Sequence, residues 1–349
     1  MSATRRVARA LDALRHGWAV RVGPWVLLPA ETGFGADVSA RRMLISAARA
    51  TTLKLANQRD AAEPESPVLI RGAEGFDLAL ARAMGDPALD LANPLKGPFL
   101  AEPIADHDSA VAAMELARLA GVLPAFLVDP TGVEEAQEVS AADLEDWKDP
   151  RHLSIASRAR LPVSVCESAE IVAFRALDDL REHVALVLGR QSADRVPLVR
   201  LHSECLTGDV LGSLKCDCGP QLDAALAAMA DEANDGGWGV LLYLRQEGRG
   251  IGLVNKLRAY QLQDQGFDTV DANQRLGLPN EARDFPVAAR MLELLGVHGI
   301  RLMTNNPAKV ETLKSVGVNV IERVAHALPA NPHNARYLAT KRDRSGHFL

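Results

Sequence analysis

Three of the four cysteines lie in one short segment, at Cys205, Cys216 and Cys218, directly after a His-Ser-Glu triplet (202–204). Asp217 stands between two of them, so the segment is too polar for a core strand, and a disulfide between Cys216 and Cys218 would be strained. Four cysteines in a chain of this length do not suggest a disulfide framework either. Because thiolates are soft ligands that suit zinc, the spacing predicts a metal site.

Three thiolates without an obvious fourth ligand favour a catalytic zinc over a structural one. Structural zinc is normally closed by four protein ligands, whereas catalytic zinc keeps one position for water. His202 could close the shell as a fourth ligand, or it could face a substrate together with Glu204, and the sequence leaves both possibilities open. Water bound to such a zinc ionises near neutral pH and would supply hydroxide.

The composition is that of an ordinary globular protein. The chain has 349 residues, of which 48% are hydrophobic and 24% charged, and its length favours two domains. A net charge of −6 gives no electrostatic reason to expect a nucleic acid or a membrane as partner. No apolar run approaches the roughly 18 residues of a membrane helix, and the N-terminus lacks the apolar core of a secretory signal. We therefore expect a cytoplasmic protein.

The chain changes character near residue 155, so we expect one domain over 1–155 and another over 156–349. The first opens with an amphipathic helix, because Val7, Leu11 and Leu14 repeat at helical spacing. The second alternates strand and helix patterns, which predicts an α/β fold with a largely covered sheet. Its predicted strands are 196–202, 238–244, 299–304 and 318–324, and its predicted helices are 219–234, 255–266, 286–296 and 306–317.

Polar turns follow three of these strands: HSEC (202–205), RQEGRGIG (245–252) and TNNPAK (304–309). In α/β sheets, ligands bind outside the carboxyl ends of the strands. The last turn opens a helix whose free N–H groups attract anions, and the glycines of the second permit close backbone approach. Basic side chains that could neutralise a polyphosphate are Arg200, Arg245, Arg249 and Lys309. The pattern predicts hydrolysis of a phosphorylated small molecule at a zinc centre.

Three stretches resemble the GTP cyclohydrolase II family: RLHSECLTGDVLGSLKCDCGPQL, LRQEGRGIGLVNKLRAYQLQDQGFDTVDANQRLGL and RLMTNNPAKVETLKSVGV. The match runs nearly without gaps from about Val196 to Val324. The resemblance implies a mixed sheet with flanking helices and one zinc held by the three cysteines and a water. It also implies Mg²⁺ with the GTP triphosphate, and a homodimer. The implied reaction opens the guanine imidazole ring at C8 and releases formate and pyrophosphate. Its product is 2,5-diamino-6-ribosylamino-4(3H)-pyrimidinone 5′-phosphate, the first intermediate of riboflavin synthesis.

The resemblance also assigns roles to individual residues. Those that match the GTP-contacting positions of the family are Arg200, Leu201, His202, Ser203, Glu204, Gln221, Glu247, Gly248, Arg249, Thr269, Thr304 and Lys309. Those that match its catalytic positions are Glu281, Arg283 and Tyr260. The family has D-x-R where this chain has Glu281-Ala282-Arg283, so the proton acceptor sits one methylene further out. Because a guanidinium stays protonated, we interpret Arg283 as a stabiliser of the phosphoryl transition state.

The N-terminal part resembles, more faintly, 3,4-dihydroxy-2-butanone 4-phosphate synthase, best over 109–128 and 7–23. The acidic R-E-x-E-G-D run of that family is replaced here by the segment 21–25, which has no acid. Its G-H-T-E motif is replaced by Asp-Ser-Ala-Val at 108–111. We therefore predict a non-catalytic α/β domain, kept for folding, dimerisation or regulation.

Three other functions remain open at this stage. A zinc nucleobase deaminase would share the H-x-E pattern of His202 and Glu204, although its P-C-x-x-C half is missing. A regulatory GTP-binding paralogue with a structural zinc is suggested by Glu281 and by the altered first domain. A related cyclohydrolase could act on another nucleotide.

Overall fold

The computed structural model describes residues 2–94, 96–176, 181–346 and 348. The chain forms two compact units. The first comprises the residues up to Asp149 together with Gly250–Ala282, and the second comprises Pro150–Arg249 and Arg283–Leu349. The first division of the chain falls at 149/150, whereas the sequence predicted a domain boundary at 155/156. The grouping of Gly250–Ala282 with the N-terminal residues was not expected from the sequence.

The first unit is built around a seven-stranded sheet. Its strands are β1 (Val20–Val22), β2 (Trp25–Pro29), β3 (Ser39–Ile45), β4 (Val68–Asp77), β5 (Phe99–Glu102), β6 (Ala125–Val128) and β7 (Gln137–Val139). They lie in the order β5-β4-β3-β6-β2-β1-β7, with β1 and β7 parallel and the other neighbours antiparallel. The helices of this stretch are α1 (Ala3–Arg15), α2 (Ala47–Thr52), α3 (Leu78–Gly85), α4 (His107–Ala120) and α5 (Ala141–Trp147).

Strand β6 shows that this sheet is covered on both faces. Its four residues are buried, and successive side chains of a strand point to opposite faces. Phe126 and Val128 accordingly join an apolar cluster with α1 and α4, while Ala125 and Leu127 join a second cluster with α3. The amphipathic helix predicted at the N-terminus is α1.

The second unit contains another seven-stranded sheet. Its strands are β8 (Leu153–Arg160), β9 (Ala169–Ala176), β10 (His183–Gly189), β11 (Leu198–Ser203), β12 (Trp238–Leu244), β13 (Ile300–Met303) and β14 (Val320–Val324). The remaining helices are α6 (Cys218–Asn234), α7 (Leu253–Asp264), α8 (Thr269–Arg275), α9 (Phe285–Leu294), α10 (Pro307–Ser315) and α11 (Ala335–Ser345), of which α7 and α8 belong to the first unit.

The order of the second sheet is β14-β13-β11-β12-β10-β9-β8. The first four strands are parallel and the last four are joined by antiparallel pairing, so the sheet is mixed. The predicted α/β class is therefore confirmed. The strands and helices predicted from residue 196 onward are all present, with ends shifted by no more than two residues. The elements β8, β9, β10, α8 and α11 were not predicted.

Strands β13, β11 and β12 are parallel neighbours, and this pairing creates the edge on which the polar turns meet. Val199 pairs with Leu302 of β13 and with Val240 of β12. Because the three strands run in one direction, their carboxyl ends share one edge of the sheet. Among the described residues, no helix combines the length and the apolar character that crossing a membrane requires.

Candidate metal and nucleotide site

The sulfur atoms of Cys205, Cys216 and Cys218 meet just beyond the carboxyl end of β11. All three lie within 4.8 Å of one another, and the sulfurs of Cys205 and Cys216 are 3.7 Å apart. Tetrahedral zinc with Zn–S bonds of about 2.3 Å places its sulfur ligands roughly 3.8 Å apart. The cluster therefore fits zinc. Among the described residues, it contains no fourth His, Cys, Asp or Glu donor.

Gly208 makes room for the three sulfur atoms. It lies in the short π-helical turn Leu206–Val210, and its N–H donates to Cys205 Sγ at 3.3 Å. A Cβ at this position would lie 2.8 Å from Cys216 Sγ and 3.1 Å from Cys205 Sγ. Glycine is thus required here by close approach to the sulfurs.

The electrostatics of the thiols suit a cation. Hydrogen bonding with the Cys205 and Cys216 thiols, then burial, and last the repulsion from a second negative sulfur raise the pKa of Cys218 well above its usual value. The neighbouring Cys205 thiol and burial also raise the pKa of Cys216. A divalent cation would offset this repulsion and favour the thiolates. Both the spacing and the charge of the donor set therefore match a metal site.

Asp209 is the hydrogen-bond centre beside the cluster, and the sequence analysis missed it. Both of its carboxylate oxygens lie 3.0 Å from His202 Nε2. One of them also accepts from the Tyr243 hydroxyl at 2.9 Å and from the Cys205 N–H at 3.0 Å. The rings of His202 and Tyr243 stack with centroids 5.6 Å apart. His202 therefore pairs with Asp209 and is not among the donors of the sulfur cluster. Its contact with a substrate stays a prediction.

A second buried polar chain begins at Arg200 on β11. Its Nη1 donates to Met303 O at 3.1 Å and its Nη2 to Gln221 Oε1 at 2.5 Å. Gln221 donates to Asp217 at 2.6 Å, and Lys341 of α11 donates to the other oxygen of Asp217 at 2.7 Å. Asp217 was noted in the sequence only for its polarity, and neither Asp217 nor Lys341 was predicted as a site residue. Lys341 lies far along the chain, so no local pattern pointed to it.

Burial changes the pKa of the Arg200 guanidinium. Desolvation lowers its pKa to about 10, although Asp217 and Cys218 act in the opposite direction. Its Nε is buried and has no hydrogen-bond partner among the described residues. An unsatisfied buried donor on an arginine is costly, and an acceptor group of a ligand would satisfy it.

Two glutamates organise the turns after β11 and β12. Glu204 pairs with Arg245 at 2.5 Å, and burial raises its pKa even though Arg245 opposes the shift. Glu247 is buried and accepts hydrogen bonds from Leu206 N at 2.8 Å and from Gly248 N at 2.9 Å. It thereby connects the turn after β12 to the metal-binding turn.

The turn after β12 has an unusual backbone. Gly248 has φ 63° and Arg249 has φ 61°, so an arginine occupies the left-handed region that favours glycine. Such strain persists only where the surroundings impose it, and it clusters at functional sites. The partly exposed side chain of Arg249 is therefore directed by a constrained backbone.

The turn after β13 opens α10. The N-cap residue Asn306 accepts from Ala308 N at 3.0 Å, and Thr304 Oγ1 accepts from Asn306 N at 3.1 Å. Lys309 is buried and donates to Leu201 O at 3.3 Å. The side chain of Leu201 is part of the apolar core. This turn therefore places the N-terminus of α10 and the Lys309 side chain beside β11, the strand that leads to the cysteines.

The other predicted residues lie as follows. Ser203 ends β11, and the Arg283 guanidinium lies 5.4 Å from the Phe285 ring centroid. Tyr260 on α7, Thr269 at the start of α8 and the exposed Glu281 belong to the first unit. The second unit thus holds the cysteines and most of the predicted GTP-contacting residues, while these three positions are part of the first.

Fold and donor set define an α/β protein with an open three-cysteine metal site at the edge of parallel strands. The model of the family described as GTP cyclohydrolase II matches residues 154–325. The "GTP cyclohydrolase-2" of Azospirillum brasilense is 42% identical, over 100% of this chain and 95% of that protein. The chain belongs to the GTP cyclohydrolase II family, and the family predicted from its motifs is confirmed.

Two further similarities extend the comparison. The "Riboflavin biosynthesis protein RibBA" of Mycobacterium marinum is 45% identical, over 77% of this chain and 70% of that protein. A crystal structure of RibBX, described as a two-domain 3,4-dihydroxy-2-butanone 4-phosphate synthase from A. baumannii, is 17% identical. It covers 86% of this chain and 93% of its own, with a TM-score of 0.26.

Proposed function

We propose that this enzyme hydrolyses GTP in a zinc-dependent reaction that opens the imidazole ring. It would release formate and pyrophosphate and yield 2,5-diamino-6-ribosylamino-4(3H)-pyrimidinone 5′-phosphate, the first intermediate of riboflavin synthesis. Three waters balance the equation: two take C8 away as formate, and one splits the triphosphate. The observation that carries this proposal is the convergence of three thiols, two of them buried and that of Cys218 partly buried, on the strand edge that also bears the basic turns.

Cys205, Cys216 and Cys218 would hold the zinc. When bound, zinc acts as a Lewis acid that makes water a nucleophile near neutral pH. Asp209 binds the His202 side chain and the Cys205 backbone N–H, so it fixes the chain on both sides of Glu204. Burial raises the pKa of Glu204, and its carboxyl group would exchange a proton with the substrate.

The basic groups would hold the triphosphate. The N-terminus of α10 offers N–H groups and the positive end of the helix dipole, and Lys309 lies in its first turns. The orphan Nε–H of Arg200 supports a ligand acceptor at that point. We assign Glu281 as proton acceptor and Arg283 as stabiliser of charge at the phosphate that is cleaved. The proposal also includes Mg²⁺ on the triphosphate, a homodimer and a cytoplasmic location.

A nucleobase deaminase is disfavoured by the role of His202. In zinc deaminases the histidine of H-x-E is a metal ligand. Here His202 Nε2 faces both oxygens of Asp209 at 3.0 Å. The Cys-x-Cys spacing of Cys216 and Cys218 also differs from the deaminase pattern.

We propose that the N-terminal part performs no synthase chemistry. Its two altered motifs come together, since a Cβ at Gly23 would lie 2.2 Å from Ser109 Oγ and 2.7 Å from Asp106 Oδ2. There Ser109 donates to Asp106 at 2.8 Å, and the same carboxylate caps α4. Within the described part of the first unit, no cluster of three His, Cys, Asp or Glu donors occurs.

The test is to incubate the purified full-length chain with GTP, Zn²⁺ and Mg²⁺, followed by mass spectrometry of the nucleotides and an assay for formate. Formate together with the diaminopyrimidinone monophosphate is expected. Ammonia without formate would identify a deaminase. Unchanged GTP in the presence of zinc-loaded protein would identify a regulatory GTP-binding protein, and turnover of a different nucleotide would identify another cyclohydrolase.

Cysteine variants provide the matched control. Cys216→Ser should lose zinc and formate release together, because it removes one of three ligands. Cys166→Ser changes the cysteine outside the cluster and should leave both close to wild type. Equal behaviour of the two variants would contradict the assignment of the metal site.

A further inference from the structure

The segment Gly250–Ala282 carries Tyr260, Thr269 and Glu281, yet it packs with the N-terminal residues as part of the first unit. The N-terminal part has no proposed chemistry of its own, so its contacts with this segment indicate what it contributes. The inference that follows rests on the proposed function, because it concerns how residues of the proposed reaction are positioned.

Arg118 on α4 contacts both ends of the segment. Its Nη1 donates to Gly250 O at 2.9 Å and to Ala282 O at 3.4 Å. The two ends also touch each other, since a Cβ at Gly250 would lie 2.3 Å from Ala282 O and 2.7 Å from its carbonyl carbon. Gly250 has φ +93°, so this position requires glycine both for its conformation and for the close approach.

Glu115 holds the guanidinium in place. Arg118 Nε and Nη2 each donate to one oxygen of Glu115 at 2.6 Å, which is a bidentate ion pair one turn apart on α4. The Arg118 side chain is 13% exposed. A bidentate pair fixes the plane of the guanidinium, so Nη1 is directed toward the carbonyl oxygens of Gly250 and Ala282.

Other contacts anchor the body of the segment to the same part of the chain. Arg258 on α7 pairs with Glu31 at 2.7 Å, and the second oxygen of Glu31 accepts from Leu123 N at 2.7 Å. Leu123 packs in an apolar cluster with segment residues, which include Ile251, Leu262 and Leu276. The segment is thus held by polar contacts at its ends and along α7, and by an apolar patch.

We infer that Arg118 is a positioning residue of the cyclohydrolase reaction. It fixes the two ends of the segment Gly250–Ala282 and therefore the backbone beside Glu281, whose peptide neighbour Ala282 it binds. The N-terminal region would then serve catalysis as a support for this segment. The position of the Glu281 carboxyl group matters for the rate, since misplacing a catalytic group by about 1 Å costs on the order of 100-fold in rate.

The experiment uses zinc-loaded full-length protein and compares Arg118→Ala with Arg15→Ala. Arg15 is a matched control because it also donates to two backbone carbonyls of this region, Ala120 O at 3.1 Å and Leu119 O at 3.3 Å, neither of which is in the segment. Formate kcat and KM, zinc content and hydrogen exchange by mass spectrometry are measured on each. R118A should lower kcat by roughly 10–100-fold at unchanged zinc content, with faster exchange confined to 250–282. R15A should remain close to wild type.

Arg118→Lys keeps the charge and a donor but loses the bidentate pair with Glu115, so its kcat should lie between those of wild type and R118A. The inference is overturned if R118A keeps the wild-type kcat, if R15A loses as much, or if exchange rises throughout the N-terminal region. If R118A does not fold, R118K and its exchange pattern decide. A wild-type protein that releases no formate would refute the proposed function instead, and exchange in 250–282 would still show whether Arg118 holds the segment.

Discussion

The substitution Gly208→Ala adds one methyl group at the point where the three sulfur atoms converge. Its Cβ would lie 2.8 Å from Cys216 Sγ, 3.0 Å from Cys218 Cβ and 3.1 Å from Cys205 Sγ. The backbone of Gly208 is outside the left-handed region, so alanine meets no conformational penalty there. The effect of the variant is therefore steric and is directed at the metal ligands.

The size of the effect follows from these distances. Non-bonded carbon contacts are optimal at about 3.5–4.0 Å, so the nearest sulfur must move by roughly 1 Å. Zinc–ligand distances tolerate about ±0.2 Å. Overpacking of this kind costs about 1–3 kcal/mol. Because the strain is relieved when the sulfurs separate, it should appear as a loss of zinc affinity of about 10–100-fold.

Zinc affinity would be measured by competition with a chromophoric chelator, and formate release would be followed at limiting and at saturating zinc. Gly212→Ala is the control in the same loop. Its φ of +64° gives alanine a backbone strain of about 1–2 kcal/mol, but no atom lies within 4 Å of the added Cβ, so this variant strains the loop without touching the sulfurs. G212A should bind zinc like wild type. The steric explanation would be refuted if G208A retained wild-type zinc affinity, or if G212A lost as much zinc affinity as G208A.

Three further predictions address the neighbouring residues. Asp209→Asn should reduce formate release or zinc affinity by about 10–100-fold, because the residues that orient metal ligands act at this scale; unchanged turnover and zinc binding would contradict this. Burial and Arg200 lower the pKa of His326 to about 4. Folding stability should therefore fall by on the order of 2–3 kcal/mol between about pH 6.5 and pH 4, where only the unfolded chain binds the proton. Denaturation midpoints of His326→Gln should lack this part of the slope, and parallel pH curves would speak against it. Glu281→Ala should lower formate release by about 100-fold or more, whereas Glu281→Asp should retain or raise it; wild-type rates for Glu281→Ala would remove Glu281 from the mechanism.

Much of the second unit could be predicted from local patterns. Apolar runs at strand and helix spacing indicated the strands and helices around the site. The edge strand β8 was not predicted, since it has mostly exposed residues and shows no buried alternation. Hydrophobic periodicity detects an element only where one face is buried.

The cysteine spacing and the polar turns predicted a metal site and an anion-binding edge, and the resemblance of three stretches predicted the family, because these features are local in the chain. The anion-binding edge stays a prediction. Which side chains share hydrogen bonds was decided only by the tertiary structure. Asp209 with Tyr243, and Asp217 with Lys341, are joined across long stretches of sequence by the packing of strands and helices. The support of the segment Gly250–Ala282 by Arg118 likewise depends on which elements pack together. Residue types limit the possible chemistry, but a hydrogen bond is directional and short, so only the folded chain selects which groups share it.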